Sequence, residues 1–333
     1  MRRESLYEKL GGKKKGSRLK RLPLWEKAGI PLLVAALILS AVFTYAPSRY
    51  PRVPGWDELY RRFGLYGGSS KLDGLPFAVS FLNVGQGDST LVRADGHFLL
   101  VDSGSAGQEQ AVIQALRRNG CSRLDAVIVT HPHEDHMGAL PGILREVPAE
   151  SVCYAPVPES ALEDPAADRA WKEAAGLHRR KIRAGECLSL GRANIQVLGP
   201  LGSSFENLNN CSVVLRITYG KIAVLLTGDA ERGEEFSLLR QRVCLRADIL
   251  KCGHHGSRTS SSLPFLRAVH PRYAVISCGK GNAFGHPHAA TLRNLRLCRA
   301  GVFRTDRQGT VQMASDGKKI FIETDGVGRQ SMV

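Results

Sequence analysis

From residue 76 onward, short apolar runs alternate with stretches whose apolar residues recur every three or four positions. The first pattern marks strands with at least one buried face and the second amphipathic helices. Strands are expected at 77–82, 89–93, 97–102, 125–130, 151–155, 195–198, 212–219, 222–227, 248–252, 273–278, 310–313 and 319–323. Helices are expected at 108–119, 136–146, 165–177 with Asp164 as its cap, 230–241, 260–269 and 289–299. So many strands with helices inserted among them suit an α/β domain of two packed sheets flanked by helices, spanning 76–325.

Ahead of this domain the pattern changes. Residues 1–27 are polar and basic and read as a cytoplasmic tail. Residues 28–46 carry no charge, and as a helix they are long enough to cross about 30 Å of hydrocarbon. Pro31 sits in the first turn, where it is tolerated. A cleaved signal peptide competes with this reading. The long basic segment, and Pro47 directly after Thr44-Tyr45-Ala46, favour an uncleaved transmembrane helix. Its Lys/Arg flank keeps the N-terminus cytoplasmic and places the following domain outside the cell membrane. Residues 47–75 read as a linker, with a short amphipathic helix at 56–63, and 326–333 as a flexible tail.

Charge and cysteine content narrow the picture. The formal net charge is +15, but residues 1–29 hold ten Lys/Arg against three Glu, so about half the surplus is a topology signal. The remainder favours an acidic substrate or an anionic surface. Eight cysteines without a C-x-x-C pair exclude a zinc ribbon or a thioredoxin-like site. Cys153, Cys252 and Cys278 lie in strand-like runs, where a thiol packs as a small apolar group.

The strand at 125–130 runs directly into His131-Pro132-His133-Glu134-Asp135-His136. Three imidazoles and two carboxylates at a strand mouth are a metal-holding set, and a solvated His-rich loop is the bland alternative. In an extended loop His131 and His133 share one ion, while Asp135 and His136, where the helix begins, reach a second. Asp229 follows another apolar strand through Gly228; it either bridges two ions or caps the helix from 230. His254 and His255 close a further strand. Neighbouring side chains diverge there, so one of the two binds metal, with His254 preferred and His255 left to substrate or to supporting contacts. His178, in a basic stretch, reads as a surface residue.

With Asn83-Val84-Gly85-Gln86-Gly87-Asp88-Ser89, Asp102-Ser103-Gly104, Asn209-Asn210-Cys211-Ser212, Leu226-Thr227-Gly228-Asp229, His254-His255-Gly256-Ser257, Gly285-His286-Pro287 and Arg304-Thr305-Asp306, these motifs resemble the metallo-β-lactamase superfamily. Within it they are most similar to the soluble hydrolase domain of ComEC-type competence proteins, which take up DNA. The resemblance covers roughly 76–324 and implies an αββα sandwich with its site at one edge, between the sheets. It implies two divalent ions, Zn or Mn, that activate a water for hydrolysis. The metal ligands would be His131, His133, Asp135, His136, Asp229 and His254, with Asp135, Asp229 and His286 in catalytic roles. Asp88, Asp102, Asn209, Asn210, His255, Ser257, Lys251 and Arg304 would support the ligands or touch substrate.

One departure stands out. The superfamily's usual further His is replaced by the Asn209–Ser212 segment, whose amide oxygens are weaker and harder ligands, a looser site that suits Mn²⁺. The leading function is a membrane-anchored, metal-dependent nuclease or phosphodiesterase acting on DNA, linked to DNA-uptake machinery. Lys251, Arg258, Lys280, Arg304 and Arg307 would contact phosphates. A hydrolase of small esters, lactones or cell-wall phosphodiesters is the alternative, and a non-catalytic surface module with structural metals is another.

Overall fold

The apolar runs pair into two sheets. In the first, β1 (Phe77–Phe81), β2 (Thr90–Ala94), β3 (His97–Val101), β4 (Ala126–Val129), β5 (Ser151–Tyr154) and β6 (His178–Lys181) lie side by side. The second holds β7 (Cys187–Leu190), β8 (Ala193–Gly199), β9 (Val214–Tyr219), β10 (Ile222–Leu226), β11 (Ile249–Lys251), β12 (Tyr273–Ile276) and β13 (Gly301–Arg304). Two last strands, β14 (Val311–Ser315) and β15 (Ile320–Thr324), return to the first sheet beside β1 and give the order β15-β14-β1-β2-β3-β4-β5-β6. This computed structural model describes residues 24–49, 72, 74–157, 169–170, 172–201 and 207–325.

The helices are α1 (Leu24–Arg49), α2 (Glu109–Arg118), α3 (Glu134–Met137), α4 (Leu140–Glu146), α5 (Arg232–Arg240), α6 (Leu263–Val269), α7 (Ala289–Leu297) and α8 (Thr305–Gln308). In the second unit, three main cores stack the sheets and the helices after α1 into an αββα sandwich. Phe81, Val92, Leu215, Ile217 and Val224 meet between the sheets. Ile113 and Leu116 of α2 and Ile143 of α4 cover the first sheet, and Leu238, Phe265 and Leu295 of α5–α7 cover the second. Each fully buried Leu or Phe contributes about 1.5–3 kcal/mol, so burial on both faces of each sheet dominates the fold.

Parallel pairing positions the chemistry. β3-β4-β5 run parallel in one sheet and β10-β11-β12-β13 in the other. The loops that leave β4, β10, β11 and β12 carry His131 to His136, Asp229, His254-His255 and His286.

Several expectations change. The helix expected over 136–146 is two, α3 and α4, broken at Gly138-Ala139. A Cβ at Gly138 would lie 2.5 Å from the Ala106 amide nitrogen, so this turn packs against the preceding loop. Strands β6, β7 and β13 were not anticipated. From the span expected at 165–177, residues 169–170 and 172–173 are helical as expected, and Ala174–Gly176 forms a 3₁₀ turn. Its start and Asp164 lie outside the described residues, as do the tail up to residue 23, the 56–63 helix with nearly all of the linker beyond residue 49, and residues 326–333.

The chain divides into two units, 1–68 and 69–333. In the first, α1 covers the apolar run at 28–46 and exposes Leu32, Leu33, Leu37 and Ile38. Among the described residues no helix is long and apolar enough to cross a membrane.

Candidate metal centre

β4 ends at Val129, and Thr130 then fixes the entry to the histidine run. Its amide and hydroxyl both donate to Asp102, at 2.8 Å each. Asp102 in turn accepts from His136 Nδ1 at 2.8 Å, and Ser103 holds the His136 carbonyl through its amide and hydroxyl at 2.6 and 3.0 Å. The His136 ring is thus locked with Nε2 facing Asp229 Oδ1, 3.3 Å away. His131 Nε2 and His133 Nδ1 sit 2.9 Å apart on the same side.

Asp229 reaches this cluster because Gly228 adopts φ of +50°. A Cβ there would lie 2.9 Å from Ser212 and 3.0 Å from Thr130, so only glycine lets the β10 loop close over the histidines. Ser212 Oγ accepts the Asp229 amide at 2.9 Å and lies 3.4 Å from His131 Nδ1. The second oxygen of Asp229 faces His255 Nε2 at 3.4 Å, and the same nitrogen is 3.1 Å from Asp135 Oδ2. One carboxylate therefore presents its two oxygens to histidines on opposite sides.

His255, not the preferred His254, enters this cluster. It is buried and pinned by Nδ1 to the Ser277 carbonyl at 3.1 Å. His254 Nε2 stays 3.9 Å from Asp229, while its Nδ1 pairs with Glu231 at 3.0 Å. Strand alternation does not govern this pair, because β11 stops at Lys251 and both histidines have positive φ, +48° and +51°. His286 sits at the rim, its ring 5.5 Å from that of His254, with a buried Nδ1 that has no hydrogen-bond partner.

Lys251 corrects another expectation. It is 2% exposed and cannot meet a phosphate. Its ammonium contacts the Asp88 carboxylate, donates to the Gly228 carbonyl at 2.8 Å and lies 3.8 Å from Asp229 Oδ1. Asn209 and Asn210 also serve the scaffold. Asn209 donates to Glu231 at 3.0 Å, and Asn210 Oδ1 accepts the Glu231 amide at 3.0 Å beside the start of α5. Ser257 Oγ pairs with Thr259 at 2.9 Å, and Arg304 makes a two-pronged pair with Asp306 at 2.9 and 2.6 Å. Glu134 accepts from Ala106 at 2.7 Å, which occupies it structurally. Thr130 and Glu231 were given no site role by the sequence reading, which weighted His and Asp, and Ser212 was named only as part of the Asn209–Ser212 motif; the signal for the first two was adjacency to the ligand motifs.

The electrostatics follow from packing. Burial lowers the pKa of His131 and of His133, reinforced by the His136 cation. Burial also opposes charge on His136, yet the carboxylates of Asp229, Asp102 and Asp135 outweigh it and raise its pKa well above the ordinary value. For His255 the same contest, burial against Asp229 and Asp135, ends at about 10. Burial favours a neutral Asp229, but His255 and His136 hold its pKa well below the usual range.

The donor set fits divalent cations. Within 4.8 Å of one another lie ligand atoms of His131, His136 and Asp229 on one side, and of Asp135, His136 and His255 on the other. His136 Nε2 and Asp229 Oδ1 are buried without a hydrogen-bond partner. Two ligands at about 2.0–2.1 Å from one tetrahedral ion stand roughly 3.4 Å apart, the spacing found here between Asp229 and both His136 and His255, at 3.3 and 3.4 Å.

Comparison with known proteins agrees with this geometry. The sequence pattern of the metallo-β-lactamase superfamily matches residues 82–280. The chain belongs to the metallo-β-lactamase superfamily. Within that superfamily it is 31% identical over 255 residues to ComE operon protein 3 of Bacillus subtilis, covering 70% of this chain and 32% of that one. It is 35% identical over 240 residues to competence protein ComA of Neisseria gonorrhoeae, covering 71% of this chain and 32% of that one. The chain thus spans about a third of the length of these competence proteins. Among solved structures, CmlA, a diiron beta-hydroxylase from Streptomyces venezuelae, aligns with TM-score 0.51 at 17% identity, over 84% of this chain and 62% of that chain. That likeness is one of fold.

Proposed function

We propose that the domain is a divalent-cation-dependent phosphodiesterase that cuts nucleic acid. It would act with DNA-uptake machinery at a membrane to which the charge-free run at 28–46 tethers it. The observation that carries this is Asp229, whose two oxygens face His136 at 3.3 Å and His255 at 3.4 Å, as a carboxylate shared by two cations requires. His131, His133, His136 and Asp229 would hold one ion, and Asp135, His255 and Asp229 the other. Nitrogen-rich ligation suits Zn²⁺, and the carboxylate share admits Mn²⁺. Bound divalent cations supply Lewis acidity: they make water a nucleophile at neutral pH and neutralise charge developing on a phosphodiester.

This chain's own residues supply the rest. Asp102 fixes the His136 ring through Nδ1, so that Nε2 is turned inward. Ser277 does the same for His255. His286, its pKa lowered to about 4 by burial and by the neighbouring imidazoles, is neutral at pH 7 and can accept a hydrogen bond at the rim. Arg258 and Lys280 are exposed nearby and can meet backbone phosphates.

The test is cleavage of single- and double-stranded DNA by the purified chain with Mn²⁺ or Zn²⁺, across a salt series, alongside metal analysis and membrane fractionation. Cleavage that falls steeply with salt and disappears in Asp229→Ala is expected. Tightly bound metal without cleavage of any nucleic acid, or a salt-independent preference for small esters, refutes the proposal.

A further inference from the structure

We propose that Phe284 is a stacking platform for an unpaired base of a nucleic-acid strand whose backbone lies over the metal cluster. The inference rests on the phosphodiesterase reading and narrows its substrate to strands with accessible bases. Phe284 is 64% exposed, on the loop between β12 and α7. Single exposed apolar residues are ordinary, and Phe236 is also exposed. Three observations set Phe284 apart.

Its loop is a built structure. Asn282 Nδ2 donates to the carbonyls of Gly279 and His286 at 2.9 and 2.7 Å, and Asn282 Oδ1 accepts the His286 amide at 2.9 Å. The ring is thus presented by a stapled turn that prepays the ordering cost of binding. Next, the Phe284 ring lies nearly parallel to that of His286, with centroids 5.6 Å apart and planes 22° apart. His286 is in turn nearly parallel to His255, at 6.2 Å and 25°. Three flat rings therefore step from solvent to the histidine that faces Asp135 and Asp229.

The third observation is charge. Residues 279–288 include Lys280 and no Asp or Glu. Exposed Arg258 is tied to this loop by its amide, which donates to His288 Nδ1 at 3.1 Å. A flat apolar face beside cations, without carboxylates, is what an unpaired nucleotide recognises: its base stacks and its phosphate is neutralised. Bases inside a duplex keep their faces stacked on each other, so the platform selects single-stranded or frayed ends.

A binding cycle on the full chain, with metal chelated so that no strand is cut, tests this. Fluorescence anisotropy reads affinity for labelled oligo-dT and for an abasic strand of equal length. Phe284→Ala and base removal should each weaken binding about tenfold, both together no more than either alone, and Phe284→Trp should restore affinity. Equal affinity of Phe284→Ala and wild type for oligo-dT overturns the platform. So does a loss of the same size on the abasic strand, or a wild type that binds neither strand. With metal restored, a wild type that cuts no phosphodiester yet binds oligo-dT through Phe284 refutes the phosphodiesterase reading and leaves the platform standing.

Discussion

Replacing Lys251 by Met removes one positive charge from a buried site while keeping the side chain's length. The ammonium is the counter-ion of Asp88, which is itself 2% exposed, and it also faces Asp229. Removing one partner of a buried pair leaves the other charge uncompensated and costs about 3–5 kcal/mol. With a urea dependence near 3 kcal/mol per molar for a domain of this size, the midpoint of the metal-free protein should fall by roughly 1–1.7 M. The second substitution separates charge from packing. In Lys251→Met/Asp88→Asn the stranded carboxylate is gone, and at least half of the loss should return as a coupling energy between the two sites. Urea titrations followed by intrinsic fluorescence at pH 7 measure all four proteins. A Lys251→Met midpoint close to wild type, or no rescue by Asp88→Asn, would refute the view that Lys251 is an internal counter-ion.

Three further outcomes are expected. His255→Ala should lose most bound divalent metal whereas His254→Ala keeps it, read as the metal-to-protein ratio after desalting, since only His255 lies in the Asp135 and Asp229 cluster. Metal loading should release protons from His136 and His255, whose metal-free pKa values are raised, His255 to about 10. Calorimetry in buffers of different ionisation enthalpy should count up to two protons near pH 7, with affinity rising as pH rises, and a count of zero contradicts the assignment. The sign for metal-free stability is opposite: the contribution of these histidines is complete below the unfolded value of about 6.5 and is lost as pH climbs through the folded values. Finally, burial raises the pKa of Glu235, which accepts the Ser261 and Ser262 amides at the start of α6. Its contribution is present below the unfolded carboxyl value and fades as pH rises, so the melting-temperature gap between wild type and Glu235→Gln should narrow between pH 4.5 and 8.

The strands that carry the core were legible because apolar runs such as Ile222–Leu226 are buried at every position. The three missed strands lie on sheet edges and are largely uncovered, and so leave no such run. β6 is His178-Arg179-Arg180-Lys181 at one edge of its sheet, β7 alternates exposed and covered residues at one edge of the other sheet, and β13, at that sheet's far edge, begins with exposed Gly301. His131, His133, Asp135, His136 and Asp229 come together because each leaves a parallel strand at the same edge, but His136, which the spacing had assigned with Asp135 to a second ion, groups with His131 and Asp229 as well. The choice between His254 and His255 was not legible. It depends on two left-handed residues after the strand has ended, which alternation cannot foresee. Lys251 looked like a phosphate contact because a lysine is normally solvated, and only the fold brings Asp88 to it. Asn209 and Asn210 stood at a ligand position in the sequence, yet the start of α5 offered unpaired amides that took the Asn210 oxygen and a carboxylate, Glu231, that took a hydrogen of the Asn209 amide.

The two sheets contribute different halves of the histidine and aspartate cluster, His131 to His136 from one and Asp229 with His255 from the other. A cation seated there acts as a rivet through the sandwich, and it has no purchase on a chain whose sheets have parted. Ion concentration in the surroundings then sets how long the fold survives as well as how fast it works, by about 2.7 kcal/mol for each ion at a hundred times its dissociation constant. Starved of metal, the molecule would lose endurance before it lost its shape.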